Sequence, residues 1–572
     1  MKFNSQGDQE VTYDAIVVGT GISGGWAAKE LCEAGLKTLV LEKGRMVKHG
    51  DYPTASLDTW DLPYQGRVPA AEIKEHYFKQ NRTGYTVRQA HKHWFVKDSE
   101  HPYEEKERFD WMRGYHVGGR SLMWGRHSYR WSPMDFQANA KEGVGTPWPV
   151  TYEEIEPWYT KVETFAGISG EALNLPQLPD SNFLPMMPLN CAESKFREGV
   201  EASMGRTVTA GRVAHLTAYD PSKHRGRRGA CQIRNRCIRG CPYGGYFSAV
   251  SATLPVAENT GNMTIRPNSS VYSLVMDKEA GRAKGVRFRD TETGEDHEAY
   301  ARVVFLCASA IPSSFIVMNT EHEEEVTMDQ SGELGGNIMD HHFRVGANGT
   351  TDEFANTYYK GRKPNGIYIP RYQNLGDRAS KKSYLRGWGY QGGASRTSWH
   401  EAVAEMNVKP GAALKDAIVQ PGNYQMGMTA FAETLPDTNN RMFINRDKLD
   451  KDGLPTLTFD AKWGENEYAM VDEMMNDAAE MLEAAGFKNV RTYNAHSYPG
   501  LGIHEMGMAR MGSSRRNSVT DKHNRLWAAP NVYMTDGAFM TSAACVNPSL
   551  TYMAFTARAA AHAVEELKKQ NI

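Results

Sequence analysis

Residues 13–25 read YDAIVVGTGISGG, and this stretch decides the expected fold. The apolar run at 13–18 predicts a buried strand, and a glycine turn follows it at once. Residues 25–35 then predict a helix, and residues 37–41 predict a second strand. A strand, a G-x-G-x-x-G turn, a helix and a strand in this order form the βαβ unit that binds a dinucleotide, with the pyrophosphate at the positive end of the helix.

The three glycines of the turn have separate roles in such a unit. Gly19 permits the tight turn, Gly21 lets the backbone approach a pyrophosphate, and Gly24 lets the helix pack on the strand. Glu42 lies 18 residues after Gly24, where a carboxylate can accept hydrogen bonds from the ribose hydroxyls of an adenosine. The alternative is a coincidental glycine turn. FAD and NAD share this fingerprint, so the unit alone does not separate them.

The overall composition excludes several classes of protein. The chain has 572 residues, of which 40% are hydrophobic and 23% charged, so it is neither disordered nor fibrous. This length suggests about three or four domain-sized units of roughly 100–200 residues. The net charge of −2 gives no general argument for nucleic-acid binding. The polar, acidic N-terminus predicts no export signal of its own, and no apolar run approaches the ~20 residues of a membrane span.

The rest of the chain predicts a discontinuous arrangement, because its two ends look nucleotide-binding and its middle does not. Residues 45–110 predict loops and short helices over a cofactor. Alternating patterns at 271–306 predict a small antiparallel sheet. Further predicted elements are a capped helix at 147–170, an amphipathic helix at 465–486, a strand at 530–537 and a C-terminal helix from about 549 to 569.

Three of the seven cysteines, Cys231, Cys237 and Cys241, lie within eleven residues. This spacing lets three thiolates converge on one centre, and the proline after Cys241 also recurs in ferredoxin cluster loops. The residues alone leave three alternatives: an iron–sulfur cluster of the three-iron type or of the four-iron type with an outside ligand, a structural zinc completed by His224, or three free thiols. The remaining cysteines, predicted to be buried small apolar residues, are Cys32, Cys191, Cys307 and Cys545.

A basic run surrounds these cysteines, with seven Lys and Arg residues and no acidic residue between positions 223 and 241. Cations lower the pKa of thiols and offset the charge of grouped thiolates. The run has other readings, namely a solvated face, a docking patch for an electron-transfer partner or an anion site. Nucleic-acid binding through residues 223–239 is disfavoured, because no nucleic-acid-binding fold signal accompanies them.

Several further motifs follow in a fixed order along the chain. They are Gly118-Gly119-Arg120-Ser121 with Trp124-Gly125, Trp148-Pro149-Val150, Gly336-Asn337-Ile338-Met339-Asp340-His341, His504-Glu505-Met506-Gly507, and Asp536-Gly537 with Asn547-Pro548-Ser549-Leu550-Thr551. Together with the βαβ unit, they resemble the glucose–methanol–choline (GMC) oxidoreductases over residues 13–558. The resemblance implies an α/β (α+β) two-domain fold, in which a Rossmann-like FAD-binding domain of glutathione-reductase type is interleaved with a substrate domain built on an antiparallel β-sheet.

The resemblance also implies the domain boundaries and makes FAD the expected cofactor rather than NAD. The FAD-binding domain would comprise residues 11–130, 250–345 and 500–572, and the substrate domain residues 131–249 and 346–499, including the cysteine loop 223–245.

Site residues carry over from the family position by position. His504 matches the catalytic histidine, and Asn547 matches its partner, which is His or Asn across the family. A second family histidine would stand at Ala509, so His504 is the better candidate. Members with covalently linked flavin have a histidine at or near the position of Trp124, and no residue here clearly matches it, which implies non-covalent FAD. The implied FAD-binding residues are Gly19, Gly21, Gly24, Glu42, Gly118, Gly119, Ser121, Trp124, Val271, Asp536, Gly537 and Pro548.

The chemistry of alcohol oxidation explains these residue types. The reaction removes a hydroxyl proton and a carbon-bound hydride, and the flavin accepts the hydride, so the protein must supply a base. A histidine, with an ordinary pKa of about 6.5, suits that role near neutral pH. Asn547 can orient the hydroxyl by a hydrogen bond without competing as a base. The alternative for His504 is that it only satisfies its own loop. Asn547 has a capping alternative, as N-cap of the helix that follows, and this role does not exclude the catalytic one. That helix would direct its positive end at the reduced flavin.

The cysteine spacing is similar to that in the catalytic subunits of bacterial FAD-dependent glucose dehydrogenases and glucoside 3-dehydrogenases. That resemblance implies a three-iron, four-sulfur (3Fe-4S) cluster at Cys231, Cys237 and Cys241. It favours a dehydrogenase over an oxidase, because a cluster passes electrons singly to a carrier. It also implies a small subunit that bears the export signal and a cytochrome as acceptor. The compartment is then periplasmic by co-export with the small subunit, and cytoplasmic otherwise.

The expected substrate is a sugar or glucoside, with oxidation at C3 of glucose or a glucoside favoured. Oxidation at C1 of glucose and at C2 of gluconate are the competing chemistries. Aromatic residues that could stack on sugar faces, or pack in the core instead, are Tyr358, Tyr359, Trp388, Tyr390 and Tyr424. A hypothesis of another class is a non-catalytic flavin-binding redox or assembly subunit that docks through the basic cysteine loop.

Overall fold

The computed structural model describes residues 13–357, 365–375, 382–396, 410–420 and 422–572. The helices in these residues are α1 (Ile22–Glu33), α2 (Ala70–His76), α3 (Pro133–Glu142), α4 (Tyr152–Ala166), α5 (Cys191–Met204), α6 (Thr253–Asn259), α7 (Ala310–Glu324), α8 (Ala412–Val419), α9 (Glu465–Ala469), α10 (Val471–Ala484) and α11 (Ser549–Lys568).

The strands of the same residues are β1 (Tyr13–Val18), β2 (Thr38–Leu41), β3 (Glu104–Glu105), β4 (Ser169–Gly170), β5 (Leu184–Pro185), β6 (Thr209–Ala210), β7 (Met263–Arg266), β8 (Ser269–Asp277), β9 (Arg282–Asp290), β10 (Asp296–Leu306), β11 (His341–Thr351), β12 (Ile367–Ile369), β13 (Trp388–Arg396), β14 (Tyr424–Glu433), β15 (Arg441–Leu449), β16 (Pro455–Asp460), β17 (Lys488–Asn494) and β18 (Val532–Met534).

The larger sheet has seven strands in the order β7-β2-β1-β10-β9-β8, with β18 pairing with β10. Its centre is parallel, since β1 runs parallel to β2 and to β10. Successive residues of β1 alternate between two apolar clusters. Ile16 and Val18 lie in one cluster, and Ala15 and Val17 pack with α1 in the other. Burial on both faces explains why β1 is an unbroken apolar run rather than an alternating one.

The long strand β10 joins the predicted antiparallel strands to this sheet. Its first half, from Asp296 to Tyr300, pairs antiparallel with β9, and its second half pairs parallel with β1 and β18. The prediction of a small antiparallel sheet at 271–306 is therefore confirmed by β8, β9 and the first half of β10, and β10 then continues into the parallel sheet. Alternation along a single strand does not reveal which neighbour each half of the strand acquires.

A second, six-stranded sheet has the order β17-β11-β14-β13-β12-β6. Helices α5 and α10 pack against it through apolar side chains such as Phe196 and Met474. Trp388, Tyr390 and Tyr424 lie in this core with at most 1% exposure, so the structure favours their packing role over sugar stacking. Tyr358 and Tyr359 lie outside the described residues.

The predicted helices hold with small changes in their bounds. In α4, Thr151 and Glu154 form the predicted capping box: Glu154 N donates to Thr151 Oγ1 at 3.4 Å, and Thr151 N donates to Glu154 Oε2 at 2.8 Å. The single amphipathic helix expected at 465–486 is divided at Met470 into α9 and α10. Across the described ranges, no helix is both long and apolar enough to cross a membrane.

Candidate active site

The glycine turn after β1 is packed so tightly that two of its glycines admit no side chain. Gly19 has φ +96°, and a Cβ there would overlap the carbonyl group of Cys307. A Cβ on Gly24 would overlap the carbonyl oxygen of Gly19, so this glycine brings α1 against the turn. Gly21, in contrast, has open space within 4 Å of such a Cβ. The open space at Gly21 is where a ligand can approach the backbone.

The first turn of α1 is available to an anion. Its N-cap is Gly21, which has no side chain to cap the helix, and the first turn carries no acidic residue. The free N–H groups and the helix dipole therefore favour a phosphate group at this end.

Glu42 lies at the end of β2 beside this turn. Its carboxylate accepts hydrogen bonds from Thr20 N at 3.1 Å, Thr20 Oγ1 at 2.5 Å and Gly44 N at 3.0 Å. Burial raises the pKa of Glu42, and these hydrogen bonds oppose the rise. The Thr20 hydroxyl also accepts a hydrogen bond from Gly118 N at 2.9 Å, which ties the second glycine-rich loop to the first.

One large cavity of about 420 Å³ begins at this turn and extends to the loops that carry His504 and Asn547. Its volume lies within the roughly 300–1,000 Å³ typical of small-molecule sites. Gly24, Gly118 and Pro548, also named from the sequence, do not line it. The residues named from sequence that do line the cavity are Gly19, Gly21, Glu42, Gly119, Ser121, Trp124, Val271, Asp536, Gly537, His504 and Asn547.

His504 is held in one tautomer by a second histidine that sequence reasoning gave no role. His341 Nε2 lies 2.9 Å from the carbonyl oxygen of Ala544, so that nitrogen must donate. The Nδ1 of a neutral His341 is then an acceptor, and it lies 2.7 Å from His504 Nδ1. His504 Nδ1 must therefore carry a proton, which leaves His504 Nε2 unprotonated.

Burial keeps both rings neutral. It lowers the pKa of His504 well below 6.5, and the nearby His341 and Arg120 lower it further. It also lowers the pKa of His341 to about 4. The unprotonated Nε2 of His504 is thus available as a base over the neutral pH range.

Asn547 faces this free nitrogen. Its Nδ2 lies 3.3 Å from His504 Nε2, and its Oδ1 accepts a hydrogen bond from Gln391 Nε2 at 2.7 Å. Gln391, a residue of β13, therefore orients the amide so that its N–H groups point toward His504. The N-cap of α11 is Pro548, and the Asn547 side chain makes no capping hydrogen bond. The capping alternative for Asn547 is therefore wrong.

The loop that carries His504 is fixed by buried charges that sequence reasoning also missed. Asp340 Oδ2 accepts from Gly502 N at 2.7 Å, and its Oδ1 accepts from His504 N at 3.1 Å. Burial raises the pKa of Asp340 to about 7, and the charge of Glu505 adds to the rise. Arg120 binds both carboxylate oxygens of Glu505, at 3.0 and 2.8 Å. The only sequence signal for these residues was their place in the quoted motifs.

The three clustered cysteines lie outside this cavity but close to one another. Burial raises the pKa of the Cys231 thiol to about 11, and the neighbouring Cys237 and Cys241 add to the rise. In the described ranges, neither of the two groups of three ligand-bearing side chains within 4.8 Å of each other contains a cysteine. His224 Nδ1 accepts a hydrogen bond from Asp220 N at 3.0 Å. This arrangement gives no support to a zinc site completed by His224.

Family models for GMC oxidoreductase match residues 13–343 and 436–556. The chain belongs to the GMC oxidoreductase family. It is 25% identical to the fructose dehydrogenase large subunit of Gluconobacter japonicus, over 98% of this chain and 99% of that protein. It is 26% identical to the 2-methyl-1,2-propanediol dehydrogenase of Mycolicibacterium austroafricanum, over 96% and 94% of the two chains. The gluconate 2-dehydrogenase flavoprotein of Pantoea cypripedii is 22% identical, over 95% and 92%.

The crystal structure of pyridoxine 4-oxidase from Mesorbium loti has the same fold. It superposes with a TM-score of 0.59 at 16% sequence identity and covers 96% of this chain and 98% of that one. The expected two-domain FAD-binding fold is thereby confirmed. The family resemblance stated from the sequence motifs is confirmed as well.

GMC oxidoreductases bind FAD, and the residues of this cavity fit that group. The open space at Gly21 and the uncapped first turn of α1 suit its pyrophosphate. At the other end, the hydroxyl of Tyr552 is buried and has no hydrogen-bond partner within the described part of the chain. Tyr552 lines the cavity next to Gly537, so this hydroxyl can serve a bound ligand.

Two glycine variants should separate packing from cofactor binding. Gly24→Ala is expected to destabilise the protein by about 3 kcal/mol, because its methyl group would overlap the Gly19 carbonyl. Gly21 has open space around it and an extended backbone (φ −69°, ψ −154°), so the cofactor-free form of Gly21→Ala should keep the wild-type melting temperature while its FAD affinity falls. Thermal melting and FAD fluorescence titration measure these effects. A Gly24→Ala protein with wild-type melting temperature would contradict this account of the turn.

Proposed function

We propose that this protein is an FAD-dependent dehydrogenase that oxidises a secondary hydroxyl of a sugar or glucoside to the keto sugar, with C3 favoured. The observation that supports this most is the unprotonated Nε2 of His504, which faces the Asn547 amide inside the same cavity as the dinucleotide turn. A base and a hydroxyl-orienting donor next to a flavin site are the groups that alcohol oxidation requires.

In this mechanism, FAD bound non-covalently in the cavity supplies the hydride acceptor. His504 Nε2 accepts the hydroxyl proton of the substrate, and Asn547 donates a hydrogen bond to the same oxygen. Gln391 keeps the amide in the donating orientation. His341 keeps the proton on the far nitrogen of His504. The N-terminus of α11, which begins directly after Asn547 and Pro548, stabilises negative charge in the cavity.

The substrate class rests on the relatives and on the polar end of the cavity. One relative is named a fructose dehydrogenase and another a gluconate 2-dehydrogenase, so sugars and sugar acids occur as substrates among proteins of this length and family. His127 and Gln391 line the cavity together with His504 and offer hydrogen-bond partners for several hydroxyls. The preference for C3 rests on the sequence resemblance. Oxidation at C1 of glucose or at C2 of gluconate is the alternative regiochemistry.

We further propose that Cys231, Cys237 and Cys241 would hold a 3Fe-4S cluster, which would supply one-electron transfer to a cytochrome or another carrier. Three thiols are the donor set of such a cluster, and here all three are partly buried, with Cys237 and Cys241 close enough to raise the pKa of the Cys231 thiol. The buried Arg228 lies beside Cys241, and its Nη1 has no hydrogen-bond partner among the residues described. An unpaired cation of this kind offsets the negative charge that a thiolate-bound cluster carries.

A small subunit and a cytochrome are the proposed partners. The name of the Gluconobacter japonicus relative, a large subunit, supports the existence of a companion chain.

The test combines sugar, product and iron in one preparation of the FAD-loaded protein. Anaerobic glucose or a methyl glucoside is expected to bleach the flavin absorbance, and NMR of the product should show a carbonyl at C3. A carbonyl at C1 would show a glucose dehydrogenase, and a carbonyl at C2 of gluconate would show a gluconate 2-dehydrogenase. Failure of all these sugars to bleach the flavin would favour the non-catalytic subunit. Iron analysis and EPR test the cluster separately, and stoichiometric zinc without iron would refute it.

A further inference from the structure

Arg126 lies between the substrate end of the cavity and the cysteine loop. It lines the cavity, and its backbone adopts φ +64°, a conformation that is uncommon for a residue other than glycine. Its carbonyl oxygen accepts a hydrogen bond from Ala214 N at 2.9 Å. Its side chain contacts His215, the residue after Ala214, with Arg126 Nε 3.3 Å from His215 Nε2.

The contact with Arg126 decides the tautomer of His215. A guanidinium N–H can only donate, so His215 Nε2 must accept and carries no proton. The single proton of the ring is then on Nδ1, which lies 3.7 Å from Cys231 Sγ. His215 therefore donates its Nδ1–H toward the sulfur. The ring is fully buried, and Cys231 N donates to the neighbouring Leu216 carbonyl at 2.8 Å, which holds the cysteine in place.

We propose that His215 is a positioning residue that raises the reduction potential of the iron–sulfur cluster by donating a hydrogen bond to the Cys231 sulfur, with Arg126 holding it in the donating tautomer. The inference rests on the proposed cluster at Cys231, Cys237 and Cys241. It assigns these two residues a task that the alcohol chemistry at His504 does not use.

The physical reason is electrostatic. Reduction adds one electron to the cluster and makes its sulfurs more negative, so a fixed N–H donor stabilises the reduced form more than the oxidised form. No bond is made or broken in this effect, because only the relative stability of the two redox states changes. His215 is the single side chain between Arg126, in the cavity wall, and the Cys231 sulfur. It is therefore placed to adjust the reduction potential of a cluster that receives electrons from the cavity.

Two variants distinguish the roles of the two ring nitrogens of His215. His215→Gln places an amide near the position of Nε2, which keeps a partner for Arg126 and removes the donor to Cys231. His215→Asn places an amide near the position of Nδ1, which keeps a donor to the sulfur. EPR-monitored redox titration of the FAD-loaded protein should show at least a tenfold lower ratio of reduced to oxidised cluster in His215→Gln at a fixed potential. That ratio corresponds to 59 mV for one electron. His215→Asn should lie close to wild type.

Each outcome can be assigned. Flavin bleaching by the sugar should be unchanged in both variants, because neither alters His504 or Asn547. An iron-free wild-type protein would refute the cluster and this inference together. Iron in the wild type with an unshifted potential in His215→Gln would overturn this inference alone, as would loss of iron from both variants, which would show a purely structural ring. Loss of iron from His215→Gln but not from His215→Asn would support the donor role.

Discussion

Replacing His504 by alanine is expected to slow flavin reduction by the sugar about 10²–10⁴-fold, the contribution typical of a general base. The variant loses the nitrogen that accepts the hydroxyl proton, while Asn547 and the cavity remain. Anaerobic stopped-flow absorbance of the flavin measures this half-reaction without any electron acceptor. The effect should appear in the rate constant at saturating sugar, because the proton leaves the substrate during the reaction rather than during binding.

The control for this variant is His322→Ala. His322 is exposed in the last turn of α7 and does not line the cavity, so its replacement should leave the rate unchanged. Both proteins must carry wild-type amounts of FAD and melt cooperatively. A folded, FAD-loaded His504→Ala protein with the wild-type rate would show that another group takes the proton.

In the wild-type enzyme, protonation of His504 should cause little loss of rate around neutrality. Burial lowers the pKa of His504 well below 6.5, so the base stays unprotonated as the pH falls from 8 to 6.5. Its protonation, and the loss of rate that follows, is expected only at lower pH.

The elements that depend on local sequence were predicted correctly. Short stretches in which spacing and residue type decide the conformation encode the glycine turn, the first two strands, α4 with its capping box, and α11. Family membership followed from motifs distributed along the chain. The assigned roles of the site residues, and the boundaries of the two domains, remain predictions.

The contacts that could not be predicted from the sequence join residues that are far apart along the chain. His341 and His504 are 163 positions apart, and Gln391 and Asn547 are 156 apart. The pairing of β11, β13 and β14 in one sheet, together with the loop at 502–508, brings these four residues close to one another. No local pattern reports such contacts. The change of partner halfway along β10 was unpredictable for the same reason.

Replacing His341 by phenylalanine is expected to slow flavin reduction about 10²-fold, although His341 does not line the cavity. His341 Nδ1 accepts a hydrogen bond from His504 Nδ1–H, and the ring of His341 is itself fixed by its hydrogen bond to the Ala544 carbonyl. Without that acceptor, His504 can move its proton to Nε2, and the wrong tautomer has no base facing the substrate. His341→Asn should recover most of the rate, because its amide oxygen can accept near the position of Nδ1.

The double variant decides whether His341 acts through His504. In the His504→Ala background there is no ring to orient, so adding His341→Phe should cause no further loss of rate. Non-additivity of this kind is the signature of two residues that work as a unit. If the two losses multiply instead, His341 contributes independently, through the sheet or the shape of the cavity, and the tautomer argument fails. If they do not multiply, the unprotonated state of His504 Nε2 depends on a hydrogen-bond acceptor, His341, that lies 163 positions away in sequence.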